Sequence, residues 1–163
     1  MCDEEAAVGV KVIVLDVDGV LTDGGVYYDG AGRELMRFDI KDGQGIKMAR
    51  DAGLTVVIMT GRGSPALSQR AGELGLEIVL QRVSDKTAAL ESLLKDRGWR
   101  AEEVAYVGDD LPDLPAMRRV GLSIAVADAV SEVRETAGYI TRRPGGRGAV
   151  REAIEFILKA GDR

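Results

Sequence analysis

Short runs of apolar and β-branched residues alternate along the chain with segments in which apolar residues recur at helical spacing. Such runs are typical of buried strands, and their alternation with helices predicts strand–helix units on a parallel sheet. The predicted strands are Val12 to Leu15, Val56 to Met59, Ile78 to Leu80, Val104 to Val107 and Leu122 to Val126. We therefore expect an α/β fold with a Rossmann-like, doubly wound parallel sheet.

Amphipathic helices are predicted between the strands and after the last of them. Ser64-Pro65 provides an N-cap and a first-turn proline for one helix, and Asp85 precedes a second. A third begins near Val150 and carries apolar residues at helical spacing. Met1 to Gly9 are expected to form a frayed tail, and the length fits a single domain spanning residues 1–163.

One stretch interrupts the alternation of strands and helices. Val26 to Tyr28 and Leu35 to Phe38 flank the turn residues Asp29 to Gly32, which predicts a small β-hairpin over about residues 25–39, in place of a cap domain. A flap of this size cannot exclude water from a catalytic site unaided. Its exposed aromatic and aliphatic residues suit a subunit interface, so we expect an oligomer whose neighbouring subunits help to close the pocket.

Composition and charge restrict the classes of partner. The formal charge of −5 disfavours general binding to nucleic acid or to anionic membranes, because both need a basic surface. No segment approaches the ~20 consecutive apolar residues of a membrane span. The only cysteine, Cys2, offers neither a disulfide framework nor a zinc site. We expect a soluble, cytoplasmic protein in a reducing compartment.

The candidate chemistry lies where the predicted strands end. In an open parallel sheet, ligands bind beyond the carboxyl ends of the strands, so polar residues that directly follow apolar runs are candidates for a site. Asp16 and Asp18 follow the first run and, two residues apart in an extended segment, point to the same side. The chain has no histidine, so an activated carboxylate is the natural candidate for covalent catalysis.

These strand-end residues predict a magnesium site. Oxygen ligands without nitrogen or sulfur favour magnesium over zinc, and Asp16, Asp18 and Asp109 could hold Mg²⁺. A phosphoryl group there would be neutralised by Lys86, polarised by the Thr60 hydroxyl and presented in line to an oxygen of Asp16. Asp18 would protonate the departing alcohol and then activate water. The sequence thus predicts a phosphohydrolase that uses these residues.

The candidate residues also resemble four motifs of a known superfamily. In chain order they are Asp16-Val17-Asp18-Gly19-Val20-Leu21-Thr22, Thr60, Lys86 and Gly108-Asp109-Asp110-Leu111-Pro112-Asp113. In type, order and placement they resemble the signature motifs of the haloacid dehalogenase superfamily of phosphohydrolases. The resemblance implies that Asp16 is the nucleophile and Asp18 the general acid and base. It also implies that Asp16, the Asp18 carbonyl and Asp109 bind the metal.

Further segments narrow the resemblance to a family in the capless branch of that superfamily, the phosphatases of 3-deoxy-D-manno-octulosonate 8-phosphate. They are Leu21 to Gly24, Phe38 to Ile46, Thr60 to Arg62, Val104 to Leu111 and Gly145 to Glu152. The resemblance runs from about Val10 to Leu158. It implies a Mg²⁺-dependent homotetramer, assembled through its hairpins, that hydrolyses this phosphorylated sugar acid through an aspartyl-phosphate intermediate in lipopolysaccharide synthesis.

The same resemblance implies which residues hold the substrate. Thr60 and Lys86 would hold the phosphate, and the whole substrate-binding set is Asp18, Asp39, Ile40, Lys41, Asp42, Gly43, Lys47, Arg62, Arg70 and Lys86. Lys47 departs from the family, which commonly has arginine there, and a lysine offers a point charge instead of a bidentate fork. A second departure lies at Gln81 to Lys86, where relatives often have a glycine before the lysine. There Arg82 indicates only surface charge.

Other functions remain open from the residues alone. Within the enzyme class, the alternative is a phosphatase for nine-carbon keto-deoxy or neuraminic acid 9-phosphates. A phosphorelay receiver domain also combines strand-end aspartates, a threonine and a lysine. However, the run that ends at Leu80 is followed by Gln81 and Arg82, and no phosphoacceptor aspartate. A non-catalytic assembly module with the same architecture is a further alternative.

Two local features also have structural interpretations. Asp109, Asp110 and Asp113 could cap the helix that begins near Pro112. The glycines at 145, 146 and 148 could form either a flexible turn or a loop that reaches a neighbouring active site.

Overall fold

The computed structural model describes residues 3–162. In chain order, its strands are β1 (Val12–Leu15), β2 (Tyr27–Tyr28), β3 (Glu34–Leu35), β4 (Thr55–Met59), β5 (Ile78–Leu80), β6 (Val104–Gly108), β7 (Leu122–Ala125) and β8 (Tyr139–Ile140). Its helices are α1 (Asp3–Val8), α2 (Ile40–Asp51), α3 (Pro65–Glu73), α4 (Lys86–Arg97), α5 (Leu114–Met117), α6 (Ser131–Thr136) and α7 (Ala149–Ala160). Two 3₁₀ turns, Ala101–Glu103 and Leu111–Asp113, lead into β6 and α5.

Six parallel strands form the central sheet, in the order β5-β4-β1-β6-β7-β8. Leu15 at the end of β1 lies opposite Ile58 of β4 on one side and Val107 of β6 on the other. The chain adds β4 and β5 on one side of β1 and then returns to add β6, β7 and β8 on the other. This reversal opens a crevice at the carboxyl ends of the central strands. The α/β fold class is confirmed, and all five predicted strands match observed ones to within one residue at each end.

The core lies around the central strands and the helices that pack on them. Every residue of β1 and of β6 is buried, as expected for parallel strands covered on both faces. The predicted helix near the end is α7, which turns Val150, Ile154 and Ile157 into the core. Helices α3 and α4 begin after Ser64 and Asp85, whose side chains cap them as the sequence predicted.

The expectation of a frayed tail at the N-terminus is wrong for its described part. Residues 3–8 form α1, which packs against α7 and fully buries Ala7. The burial of one small apolar side chain against a long amphipathic helix orders a segment whose charged residues alone suggest disorder. Met1 and Cys2 lie outside the described residues.

The predicted hairpin is present, with shorter strands than expected. Strands β2 and β3 pair antiparallel, with Tyr27 opposite Leu35. The carboxylate of Asp29 accepts hydrogen bonds from two backbone N–H groups in the turn, those of Ala31 and Arg33. The pairing stops early because Met36 and Phe38 pack against the core instead of extending the ladder.

Helix α2, the edge strand β8 and helix α6 were not predicted. Strand β8 and helix α6 have six residues or fewer, too few for a periodic pattern to be recognised. Helix α2 contains Gly43 and Gly45, whose low helix propensity hides its pattern. The helix expected near Pro112 is the 3₁₀ turn that leads into α5. Within residues 3–162, no helix combines the length and the apolar character that crossing a bilayer requires.

Candidate active site

Asp16 begins the site at the carboxyl end of β1, where its side chain is buried. The chain then turns tightly, because the carbonyl of Val17 accepts backbone N–H groups from three residues, Val20, Leu21 and Thr22. Gly19 in this turn has φ +84°, and a Cβ there would lie 1.9 Å from Oδ2 of Asp109. Glycine is therefore what allows the loop after β1 to approach the loop after β6.

Lys86 joins these loops from the first turn of α4. Its buried Nζ donates to Oδ1 of Asp16 at 2.9 Å and to Oδ1 of Asp113 at 2.6 Å. Asp113 also accepts the Tyr106 hydroxyl on Oδ1 and the backbone N–H of Asp109 on Oδ2. Asp113, which the sequence suggested as a helix cap, is thus the carboxylate that holds the lysine in place.

Burial and like charge set the protonation of this cluster. Burial, and then the charge of Asp113, raise the pKa of Asp16 to about 6. Burial, and then the charge of Asp16, raise the pKa of Asp109 to about 8. Burial alone would lower the pKa of Lys86, but the charges of Asp16 and Asp113 outweigh it and raise that pKa. The lysine is therefore a cation, held among carboxylates that repel one another.

The oxygens of this cluster fit a hard cation. Carboxylate oxygens of Asp16, Asp109 and Asp113 all lie within 4.8 Å of one another. Oδ1 of Asp109 is buried and, within the described part of the chain, has no hydrogen-bond partner. A buried carboxylate oxygen without a donor is costly unless a cation completes it. The donor set is oxygen only, as Mg²⁺ prefers.

Two other predicted catalytic residues flank the cluster. Thr60 is buried after the end of β4, next to β1, and its hydroxyl accepts the N–H of Arg62. Asp18 lies further out: its side chain is 34% exposed, and one oxygen is 3.7 Å from Nε of Arg62. The structure therefore brings Asp16, Lys86 and Asp109 into direct proximity and leaves Asp18 at the mouth. The catalytic and metal-binding roles of these residues stay predictions.

Arg62 connects the mouth of the site to the hairpin. Besides its contact with Asp18, its guanidinium pairs with Glu34 in β3. Sequence reasoning missed Glu34, because a single acid in a short hairpin carries no signal of its distant partner. The same is true of Tyr106, whose hydroxyl lies within an apolar strand.

In this structure, the carboxylates of Asp39 and Asp42 accept backbone N–H groups at the starts of two helices. Asp39 caps α2 by accepting the N–H of Lys41 at 2.7 Å. Asp42 is 1% exposed, and its carboxylate accepts the N–H groups of Gly148 and Arg151 at the start of α7. Both oxygens of Asp42 are thus occupied within the subunit, and its contact with a sugar acid stays a prediction.

The remaining predicted sugar-binding residues are dispersed in the single chain. Ile40 is 83% exposed, and Lys47 is exposed on the same helix. Lys41 lines a separate cleft of about 690 Å³ beside α7. Arg70 pairs with Glu73, lies against Gly43 and lines a small cavity together with Asp39 and Asp42. Across residues 3–162, no hydrogen bond or ion pair joins these side chains to Asp16, whose side chain contacts Lys86.

The glycine-rich segment before α7 packs on the loop after β1 of the same chain. A Cβ on Gly145 would lie 1.7 Å from the Gly19 carbonyl oxygen, and one on Gly146 would lie 2.3 Å from the backbone N of Asp23. The N–H of Gly146 also donates to the carbonyl of Val20. Both glycines are buried parts of this subunit's own site, a packing that neither sequence alternative included. Asp110, by contrast, caps the following 3₁₀ turn through the N–H of Leu111, as one alternative proposed.

Comparisons with known proteins agree with this geometry. A haloacid dehalogenase-like hydrolase family model matches residues 70–154. The 3-deoxy-D-manno-octulosonate 8-phosphate phosphatase of Yersinia pestis is 44% identical over 159 residues, which cover 98% of this chain and 85% of that protein. The same-named protein of Escherichia coli strain K12 is 45% identical over 154 residues, covering 94% of this chain and 82% of that protein.

A solved structure shows the same architecture. It is the 3-deoxy-D-manno-octulosonate 8-phosphate phosphatase of Moraxella catarrhalis, in complex with magnesium ion, phosphate ion and a KDO molecule. It superposes with a TM-score of 0.96 and 41% identity, covering 98% of this chain and 92% of that one. With such identity to curated relatives over nearly all of its length, the chain belongs to the haloacid dehalogenase-like hydrolase family.

Proposed function

We propose that this protein is a Mg²⁺-dependent phosphatase that hydrolyses 3-deoxy-D-manno-octulosonate 8-phosphate to the free sugar acid and phosphate. The observation that carries the proposal is the contact of Lys86 with Asp16 beside Asp109, at the edge of the sheet where phosphate would bind. Relatives that match nearly the whole chain are named for this activity. The substrate is a phosphorylated sugar acid, and the reaction is a step of lipopolysaccharide synthesis.

The chain's own residues account for the steps of the reaction. Lys86 and Thr60 hold the phosphoryl group so that an oxygen of Asp16 attacks phosphorus in line. Asp18, at the mouth, protonates the departing sugar oxygen and later removes a proton from the water that attacks the aspartyl phosphate. Asp113 keeps the Lys86 ammonium next to Asp16 throughout. Mg²⁺, when bound by Asp16, Asp109 and the Asp18 carbonyl, supplies neutralisation of the phosphoryl charge.

The proposal includes a homotetramer in the cytoplasm. Apolar side chains of the hairpin are more than half exposed, namely Val26 at 53%, Tyr28 at 66% and Leu35 at 56%. Exposed apolar patches of this kind mark interaction surfaces. A neighbouring subunit that covers the hairpin would also help to close the pocket, which the short hairpin alone cannot close.

A release assay tests the proposal. Phosphate is measured with Mg²⁺ for the eight-carbon acid phosphate, a nine-carbon keto-deoxy acid 9-phosphate and glucose 6-phosphate. We expect selective hydrolysis of the eight-carbon acid, and EDTA should abolish it. Equal rates on all three would exclude the narrow assignment, and preference for the nine-carbon acid would replace it. A single stoichiometric phosphorylation without turnover would instead support the receiver alternative.

A further inference from the structure

Arg82 has a left-handed backbone conformation in the loop between β5 and α4, with φ +56°. A side chain at positive φ is sterically unfavourable, and glycine commonly occupies such positions. The conformation ties two loops together: the N–H of Arg82 donates to the Arg62 carbonyl at 3.2 Å, and the N–H of Val83 donates to the Thr60 carbonyl at 3.0 Å. The loop after β5 is thereby fixed against the loop that carries Thr60.

The guanidinium of Arg82 lies over the backbone of Gly63. A Cβ on Gly63 would lie 2.6 Å from Cζ and from Nη1 of Arg82. Gly63 directly follows Arg62, whose own Nε is 3.7 Å from Oδ2 of Asp18. The guanidinium of Arg82 therefore lies over the loop that carries Arg62, the arginine that contacts the proposed general acid.

Arg82 also differs from its basic neighbours in having no acidic partner. Arg62 pairs with Glu34 and Asp18, and Arg70 pairs with Glu73. Across residues 3–162, no ion pair or hydrogen bond engages the side chain of Arg82, which is exposed. An unfavourable backbone conformation that places an unpaired charge beside a loop of the site points to a role in binding a ligand, not in stabilising the fold.

We propose that Arg82 binds the carboxylate of the sugar-acid substrate. This inference rests on the proposed function and extends it to the far end of the substrate. With the phosphate held by Lys86 and Thr60, the carboxylate at the other end of the carbon chain reaches the mouth, where the neighbouring Arg62 is already neutralised. A guanidinium suits this task because its planar fork accepts a carboxylate in two parallel hydrogen bonds.

The test compares one substrate that has a carboxylate with one that lacks it. Arg82→Gly and Arg82→Lys are assayed with 3-deoxy-D-manno-octulosonate 8-phosphate and with p-nitrophenyl phosphate. For Arg82→Gly we expect KM for the sugar acid to rise about tenfold with kcat nearly unchanged. This pattern is expected when the lost contact binds the substrate and the transition state equally well. Arg82→Lys should recover part of that loss. The KM for p-nitrophenyl phosphate should not change, and the Tm of Arg82→Gly should rise because glycine adopts this φ without strain.

Arg134→Ala is the matched control, because it removes an exposed arginine from α6 that has no ion pair in the described chain. An equal KM rise in Arg134→Ala, a parallel rise for p-nitrophenyl phosphate, or no rise at all would overturn the proposal for Arg82. Failure of the proposed function is separate: the wild type would then not hydrolyse this acid. The same comparison would be made with whichever phosphorylated sugar acid it does hydrolyse, and hydrolysis of none would refute the carboxylate subsite as well.

Discussion

The hydroxyl of Tyr106, fully buried in β6, donates a hydrogen bond of 2.8 Å to Oδ1 of Asp113. The same oxygen accepts Nζ of Lys86 at 2.6 Å. Burial, and then the charge of Asp113, raise the pKa of Tyr106, so it remains a donor at any physiological pH. The tyrosine thus fixes, from inside the core, the carboxylate that positions the lysine of the site.

Tyr106→Phe removes this one donor at nearly constant volume. A hydrogen bond to a charged group contributes about 1.5–3 kcal/mol, so we expect the free energy of unfolding to fall by about 2 kcal/mol. We also expect kcat to fall, because Lys86 loses the fixed position of its partner. Urea unfolding and phosphate release measure the two effects. Unchanged kcat with lowered stability would limit Tyr106 to a structural role.

Most of the fold followed from the sequence because it depends on local patterns. Each predicted strand is a short apolar run ended by a polar residue, and helix starts at Ser64 and Asp85 follow from side chains that cap their own helix. Asp16, Lys86 and Asp109 were found for a similar reason, since parallel strands bring their carboxyl ends to one edge.

The contacts that sequence reasoning missed join residues far apart in the chain. Glu34 and Arg62 are 28 residues apart, and Asp42 and Arg151 are 109 residues apart. Which acid pairs with which base depends on how helices and loops pack, and no local pattern records that. Asp42 is the clearest case. From the sequence, an acid in the first turn of a helix is expected to be exposed and to interact only with its own helix. Asp42 is instead buried and binds N–H groups at the start of α7.

The metal-free protein should lose stability as the pH rises from 5 to 8. The folded pKa values of Asp16 and Asp109 are raised to about 6 and about 8. In this range the folded state binds more protons than the unfolded state, so its stability falls with pH. The slope should be on the order of 1 kcal/mol per pH unit where one carboxyl group titrates. The chain has no histidine to add its own titration.

Urea unfolding in EDTA at several pH values measures this slope. Saturating Mg²⁺ should remove it, because the metal binds the deprotonated carboxylates of the folded state. Asp109→Asn in EDTA should be flatter above pH 6 than the wild type. A stability that rises with pH in EDTA would contradict the raised pKa values.

Asp16→Asn should abolish turnover and leave the fold intact. The amide has nearly the same volume but cannot form the aspartyl phosphate, so we expect kcat to fall by about 10⁴-fold or more. Phosphate release measures the loss, and circular dichroism shows whether the fold persists. Asp110→Asn is the control, since it makes the same chemical change at an exposed cap and should keep its activity. Substantial activity in Asp16→Asn would disprove the covalent step.

Asp42→Asn should reduce stability more than substrate affinity. The Asp42 carboxylate accepts N–H groups of Gly148 and Arg151, and an amide can satisfy only one of them without placing a donor against the other. We expect the free energy of unfolding to fall by about 1–3 kcal/mol. Asp39→Asn, at an N-cap where asparagine is equally suitable, should change it little. A raised KM with unchanged stability would instead support a sugar contact by Asp42.

Tyr28→Asp and Leu35→Asp should dissociate the proposed tetramer. Each replaces an exposed apolar side chain with a charged one. In the single chain, Tyr28 is 66% exposed and Leu35 is 56% exposed. Burying that charge at an interface would be costly, whereas the isolated subunit tolerates it. Light scattering after size-exclusion chromatography measures the mass. Val8→Asp introduces the same charge at another exposed apolar residue, on α1, and should stay tetrameric. If neighbouring subunits complete the site, kcat/KM falls together with the mass in the hairpin variants only; full activity of a monomer would show that each subunit is complete.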